Sequence, residues 1–153
     1  MTSRVLVVVA LAACQEGSSP PPASHGKLEL VEAPPTTDIA AYLAPLVARA
    51  GADHRKLVVY VGATWCEPCR HFHDAAVHAQ LDDRFGDLRI VAFDADRDDP
   101  ALDAAGYRSS MLPLFALPGP DGRATGKQFA GSIKGDGAVA QIAPNLRKLV
   151  DGH

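Results

Sequence analysis

The sequence has few cysteines, few aromatic residues and no strongly basic segment. Its 153 residues include three cysteines, one tryptophan and 6% aromatic residues, and the formal net charge is −3. Because no run of Lys or Arg is present, we expect no nucleic-acid-binding surface. No internal repeat is visible either. Apolar residues make up 47% of the chain and charged residues 22%, which is ordinary globular composition. The length fits one domain.

The first fourteen residues differ from the rest of the chain. Arg4 precedes nine apolar residues, 5–13, and Cys14 follows directly. Nine helical residues would cover about half of a bilayer's hydrocarbon core, so this segment is too short for a transmembrane anchor. A basic residue, a short apolar stretch and small residues at its end are typical of a secretory signal.

The end of this segment, Leu-Ala-Ala-Cys, resembles the lipobox of bacterial lipoproteins. That resemblance implies cleavage before Cys14 and a lipid on this cysteine, and therefore an extracytoplasmic, periplasm-facing protein anchored to a bacterial membrane. Gln15 after the cysteine favours the outer membrane if the host has two. The alternatives are a plain signal peptide and a buried strand with a chance cysteine.

Composition divides the chain into three parts. Residues 1–13 are predicted to be the lipoprotein signal peptide, residues 14–37 the lipidated Cys with a Pro- and Ser-rich tether, and residues 38–153 the folded domain. The tether composition cannot bury enough apolar surface to offset its ordering entropy. Residues 27–32, KLELVE, could add a short strand to the domain.

Hydrophobic periodicity predicts an α/β domain with a central mixed sheet and helices on both faces. The first predicted helix is capped at Thr37 or Asp38, kinked or interrupted at Pro45 and ended by Gly51. A strand at 57–63, a helix from Cys66, a strand at 88–93 and a short helix capped by Asp99 and ending at Gly106 follow. The last predicted elements are strands at 114–118 and 127–131 and a final helix through 139–149.

Cys66 and Cys69 lie at the predicted strand-to-helix turn, in the stretch ATWCEPCR. Backbone N–H groups at a helix N-terminus are unpaired and favour a thiolate, which lowers the pKa of Cys66 from about 8.5 towards neutral. Cys69, one turn on, would resolve the mixed disulfide that Cys66 forms. Pro68 is tolerated in the first turn because its missing N–H would have no partner there.

Three neighbours of the cysteines are expected to adjust the site. Trp65 would shield the pair and offer a substrate an apolar platform. Arg70 adds positive charge, whereas Glu67 opposes thiolate formation and should favour reducing character.

The segment YVGATWCEPCR, the strand-helix-strand unit around it and Pro113 before a later strand are together similar to the thioredoxin family. The resemblance covers roughly residues 38–150, and is nearest to membrane-tethered, extracytoplasmic members. It implies a thioredoxin fold, a redox-active Cys66–Cys69 pair and a cis bond before Pro113. It also implies a docking surface formed by Trp65, Leu112 and Pro113.

The resemblance further implies a thiol–disulfide oxidoreductase acting on disulfide-containing proteins, without a cofactor and as a monomer. Pro68 in the second intervening position resembles the reducing members, so we expect a reductase. In an oxidising compartment a reductase needs a membrane-embedded electron donor.

Two positions depart from the family pattern. Tyr60 stands where related cytoplasmic proteins carry a buried acid that relays the resolving thiol's proton, so the relay must differ or run through water. His73 is one candidate acceptor. Leu112, before the proline, is bulkier than is usual there.

Two alternative functions stay open. Cys66, Cys69 and His73 could form a three-ligand copper or zinc site in a metal-handling lipoprotein, although we predict none. The domain could also be a redox-inert binding module. The acidic run at residues 94–99 lacks the Gly and Glu of a calcium loop and is predicted to be a solvated loop and helix cap.

Overall fold

The structure, a computed structural model, describes residues 26–152 of the chain. The predicted signal peptide and residues 14–25, the first half of the predicted tether with Cys14 and Gln15, therefore lie outside the described residues. Between residues 26 and 152, every helix is too short or too polar to cross a membrane.

Five strands form one sheet in the order β1-β3-β2-β4-β5. The first three neighbours pair in parallel, and β4 pairs antiparallel with both β2 and β5. The sheet is thus mixed, as the sequence predicts. In chain order the elements are β1 Glu29–Glu32, α1 Ile39–Ala52, β2 Lys56–Gly62, α2 Glu67–Val77, α3 Asp82–Phe85, β3 Leu88–Asp94, α4 Ala95–Ala104, β4 Leu114–Pro118, β5 Ala124–Ala130 and α5 Ala138–Asp151.

The central strand β2 is covered on both faces, which explains its uninterrupted apolar sequence. Because side chains alternate along a strand, Val58 and Tyr60 join the core under α2 and α5, whereas Val59 and Val61 join the core under α1 and α4. Two hydrophobic cores result, one on each side of the sheet.

The first helix, α1, has its predicted cap at Asp38 but is not interrupted at Pro45 as predicted. The Asp38 carboxylate accepts a hydrogen bond from the Ala41 N–H at 2.9 Å. The helix then continues through Pro45 to Ala52. Ile39 and Leu43 before Pro45 and Ala50 after it are all buried in the same core, and such tertiary packing supplies most of a helix's stability.

The fourth helix, α4, begins five residues before its predicted start, so two predictions about this segment were wrong. Asp94, not Asp99, is its N-cap, and the Asp94 side chain accepts from the N–H groups of Asp96 and Arg97. The acidic run is therefore a helix start instead of a solvated loop. Asp98 is buried, where it pairs with Arg97 at 2.7 Å and accepts from the Asp94 N–H.

The first strand of the sheet, β1, lies within residues 14–37, which were predicted to be a tether. Strand β1 pairs with β3, and its Glu29 carboxylate binds the buried Arg89 at 2.8 Å. Just before the strand, the Leu28 N–H donates to Asp82. The possible strand in KLELVE is thus real and forms one edge of the sheet.

Candidate active site

The two predicted redox cysteines lie together at the junction of β2 and α2. Their sulfur atoms are joined in a disulfide at 2.05 Å, with Cα atoms 5.2 Å apart. Cys66 is the N-cap residue of α2, and Cys69 lies one turn inside the helix. Pro68 occupies the first turn, as predicted from its missing N–H.

Local backbone bonds fix this turn. The Cys66 N–H donates to the Ala63 carbonyl, and the Cys66 carbonyl accepts the first helical bond, from the Arg70 N–H. The Cys66 side chain caps no backbone N–H in the disulfide state. On reduction, the unpaired N–H groups of the first turn would face the Cys66 sulfur and stabilise its thiolate.

The two cysteines border different spaces. Cys66 lines a groove of about 790 Å3. Cys69 lines a second pocket of about 330 Å3, which is as open to solvent as the groove and shares Arg70 with it. Both cysteines are buried, Cys66 at 5% exposure and Cys69 at 2%. Of the two cysteines, only Cys66 therefore borders the larger space, where a polypeptide partner could lie.

Trp65 and Leu112, two of the three residues of the predicted docking surface, line this groove. The Trp65 side chain is 65% exposed, and its Nε1–H donates to Asp96 in the first turn of α4 at 2.9 Å. The Leu112–Pro113 bond is cis, which the resemblance implied. Pro113 itself is buried and is not among the groove residues; its carbonyl accepts from the Gly131 N–H.

Exposed apolar side chains concentrate around the groove. In the described part of the chain, the large hydrophobic residues with the most exposed side chains are Trp65, Met111, Ile133 and Val77. Met111 and Ile133 stand between residues that line the groove, and Met111 packs on Gly131, next to Ser132. Sequence reasoning missed both, because only the folded chain brings the segment after β5 beside the cysteines.

The charged residues of the motif are held by backbone groups. Arg70 donates to the Thr64 carbonyl at 2.9 Å. The Glu67 carboxylate accepts from the Gly135 N–H at 2.9 Å, and His71 lies 3.9 Å from the same oxygen atom. Glu67 thus has a structural contact that its position in the motif does not reveal.

Tyr60 closes the inner side of the disulfide. Its O–H donates to the Cys69 carbonyl at 3.1 Å, and its ring packs against Phe72 and Phe115. Burial, with a smaller contribution from the negative charge of Glu32, raises the pKa of Tyr60 above its ordinary value. Tyr60 therefore stays a neutral donor near neutral pH and cannot act there as a base.

His73 and Glu32 form a hydrogen-bonded pair in the pocket that Cys69 lines. His73 Nε2 lies 2.8 Å from a Glu32 carboxylate oxygen, and both residues line the Cys69 cavity. The other charged residues lining this cavity are Arg70, Asp74, Asp94 and Arg97. Glu32 was not predicted as a site residue, since it reaches the cavity only because β1 joins the sheet.

The possible copper or zinc ligands are not arranged as a metal site. Cys66 and Cys69 are bonded to each other, and His73 is paired with Glu32. Within residues 26–152, no three His, Cys, Asp or Glu side chains are grouped so that they could hold a metal ion.

No protein-family model and no curated protein matches the chain. Solved structures do match. Thioredoxin from Fasciola hepatica is 23% identical, with 83% of this chain and 98% of that chain covered and a TM-score of 0.50. Oxidised thioredoxin O1 from Arabidopsis thaliana is 16% identical, with 80% and 98% covered and a TM-score of 0.50.

A third match comes from a structure describing how the yeast mitochondrial 1-Cys peroxiredoxin is resolved through the glutathione and thioredoxin systems. It is 22% identical, with 81% of this chain and 95% of that chain covered and a TM-score of 0.51. Together with the mixed sheet and its flanking helices, these likenesses show that the chain has the thioredoxin fold, as its sequence predicts.

Proposed function

We propose that this protein is a thiol–disulfide oxidoreductase, that its redox centre is the Cys66–Cys69 pair, and that it reduces disulfide-containing proteins outside the cytoplasm. The observation that carries the proposal is the position of the disulfide at the N-terminus of α2, where Cys66 borders the open groove and Cys69 does not.

The reaction follows from this arrangement. In the reduced protein the Cys66 thiolate attacks one sulfur of a substrate disulfide, which breaks that bond and releases the first substrate thiolate. Cys69 then loses its proton and attacks Cys66, so that the Cys66–Cys69 disulfide forms and the second substrate thiolate leaves. Two electrons pass to the substrate. A membrane-embedded dithiol donor would return the protein to its reduced state.

The proton of Cys69 needs an acceptor within reach of the pocket that Cys69 lines. Tyr60 is unsuited, because its raised pKa keeps the phenol protonated. His73 lines the same cavity as Cys69. When its Nε2–H donates to Glu32, its Nδ1 is free to accept, and the cavity has room for a bridging water. We therefore assign proton acceptance to His73, oriented by Glu32.

Two measurements test the proposed activity. The reduced protein should reduce insulin disulfides, and the potential of the Cys66–Cys69 couple should lie nearer to about −270 mV than to about −120 mV, since Pro68 resembles the reducing members. A potential near the upper value would make the protein an oxidant. Failure to exchange with any disulfide would favour the redox-inert module, and metal bound to the reduced protein would favour metal handling.

The extracytoplasmic location rests on the first fifteen residues. Between Cys14 and β1 the chain has roughly 14 residues, which can span at most about 50 Å when fully extended. A lipid on Cys14 would therefore keep the domain within that distance of the membrane. Cys14→Ala should move the protein from the membrane fraction to the soluble fraction. A variant that stays fully membrane-bound would contradict the lipid anchor.

A further inference from the structure

The segment of residues 131–137, between β5 and α5, is held beside the disulfide by two side chains; it is called here the docking loop. Glu67, from the cysteine motif, accepts from the Gly135 N–H at 2.9 Å. Gln141, from the first turn of α5, accepts from the Ile133 N–H and from the Ser132 hydroxyl, both at 2.8 Å.

These two anchors fix the part of the loop that borders Cys66. Ser132 and Lys134 line the groove, and Ile133 lies between them in the chain, with an exposed side chain beside the groove. The loop has no helix or strand of its own between β5 and α5. Its backbone conformation therefore depends on side chains that accept its N–H groups.

A protein disulfide attacked by Cys66 must lie in this groove, which is continuous with the redox site. The exposed apolar residues around the groove, Trp65, Met111 and Ile133, suit an extended polypeptide segment with apolar side chains beside its cysteine. A small disulfide has no flanking polypeptide that could contact these apolar residues.

We propose that Glu67 is a positioning residue for the docking loop: its carboxylate fixes Ile133 and Lys134 beside Cys66, and so favours protein disulfides with apolar flanking residues over small ones. This inference rests on the proposed function. It differs from a role for Glu67 through charge alone, because an uncharged hydrogen-bond acceptor of the same shape would serve equally well.

The test compares Glu67→Ala, Glu67→Gln and Gln141→Ala in the full chain. Each reduced variant is mixed with an excess of insulin and, separately, of oxidised glutathione. The single-turnover rate constant at saturation, written here kcat, and the half-saturating disulfide concentration, written here KM, are measured for both. The Gln side chain at position 67 can still accept from Gly135, whereas Ala cannot. Gln141 is uncharged and belongs to α5, so its removal disturbs the loop without changing charge at the cysteines.

We expect Glu67→Ala and Gln141→Ala to raise KM for insulin by about threefold to tenfold, the equivalent of one lost hydrogen bond. For Gln141→Ala, which leaves the charge at the cysteines unchanged, kcat for insulin and the reaction with oxidised glutathione should stay within about twofold of the wild type. Glu67→Gln should keep the wild-type KM for insulin even if its reduction potential shifts.

A Glu67→Gln variant with the same insulin defect as Glu67→Ala would overturn the inference in favour of charge. Equal losses with both disulfides would also overturn it, because the loop would then not act on protein substrates. A wild-type protein that reacts with neither disulfide would contradict the proposed function itself.

A second pair of variants checks the apolar contact. Ile133→Ser should raise KM for insulin, whereas Val77→Ser, which is similarly exposed but at the far end of α2, should not. Equal behaviour of the two variants would remove Ile133 from the docking surface.

Discussion

Tyr60→Phe tests whether the residue that stands in place of the usual buried acid is structural or takes part in proton transfer. The substitution removes only the O–H group that donates to the Cys69 carbonyl, and leaves the ring packed between Phe72 and Phe115. One buried hydrogen bond is worth about 0.5–1.5 kcal/mol net. We therefore expect the free energy of unfolding near neutral pH to fall by about 1 kcal/mol.

The stability difference between the wild type and Tyr60→Phe should become smaller at alkaline pH. Because burial raises the pKa of Tyr60 in the folded protein, the unfolded chain loses the phenolic proton first. The stability contributed by the neutral phenol is thus complete below about pH 10 and is lost as the pH rises towards the folded pKa, by up to about 1.36 kcal/mol per pH unit. Tyr60→Phe lacks this dependence, so the two stability curves should converge above about pH 10.

Urea unfolding of the oxidised protein across this pH range measures the stability difference, and disulfide exchange between about pH 5 and pH 9 measures activity. Tyr107→Phe is the matched control, since the Tyr107 O–H also donates to a buried carbonyl, that of Gly122, and burial raises its pKa too, away from the cysteines. Both variants should keep the wild-type exchange rate within about twofold. A tenfold slower or pH-shifted exchange in Tyr60→Phe alone would refute the structural assignment.

Two further predictions concern other parts of the chain. Gly122→Ala should destabilise the protein by about 3 kcal/mol or more, because the backbone has φ +77° and a Cβ there would lie 2.1 Å from the Ala40 carbonyl oxygen. Its control, Gly126→Ala, is at φ +81° in open space and should lower the free energy of unfolding by only about 1 kcal/mol. Equal Tm losses in the two variants would contradict this reasoning. His73→Gln should slow the attack of Cys69 on a preformed mixed disulfide with glutathione by about tenfold or more near neutral pH, while the formation of that disulfide by Cys66 is unaffected; an unchanged resolution rate would remove His73 as the acceptor.

The local features of the site could be predicted because short-range patterns determine them. An uninterrupted apolar run predicts a central strand covered on both faces, as β2 is. The pair of cysteines that follows it predicts the start of a helix, and Cys66 is the N-cap of α2. The cis bond before Pro113 came from the family resemblance, since local sequence does not distinguish it.

The features that the sequence left undecided, such as β1, or missed, such as the docking loop, depend on contacts between distant residues. Strand β1 is held by Glu29 bonding to Arg89, and the docking loop by Glu67 bonding to Gly135, 68 residues away. Nothing near either segment indicates these partners. At α4, the Asp99-Pro100 pair gave a helix-start signal, but Asp94 five residues earlier caps the helix. Both signals were present, and the packing of the fold selected the earlier one.

The most direct test of the central claim is the capture of mixed disulfides by single-cysteine variants. Cys66 borders the larger groove and is the N-cap of α2, whereas Cys69 lies one turn inside the helix and borders the smaller pocket. Reduced Cys69→Ser, mixed with insulin, should therefore accumulate a covalent adduct that dithiothreitol releases, because the resolving thiol is missing. Reduced Cys66→Ser should accumulate almost none. Equal capture by the two variants, or capture by Cys66→Ser alone, would contradict the assignment of Cys66 as the attacking thiol.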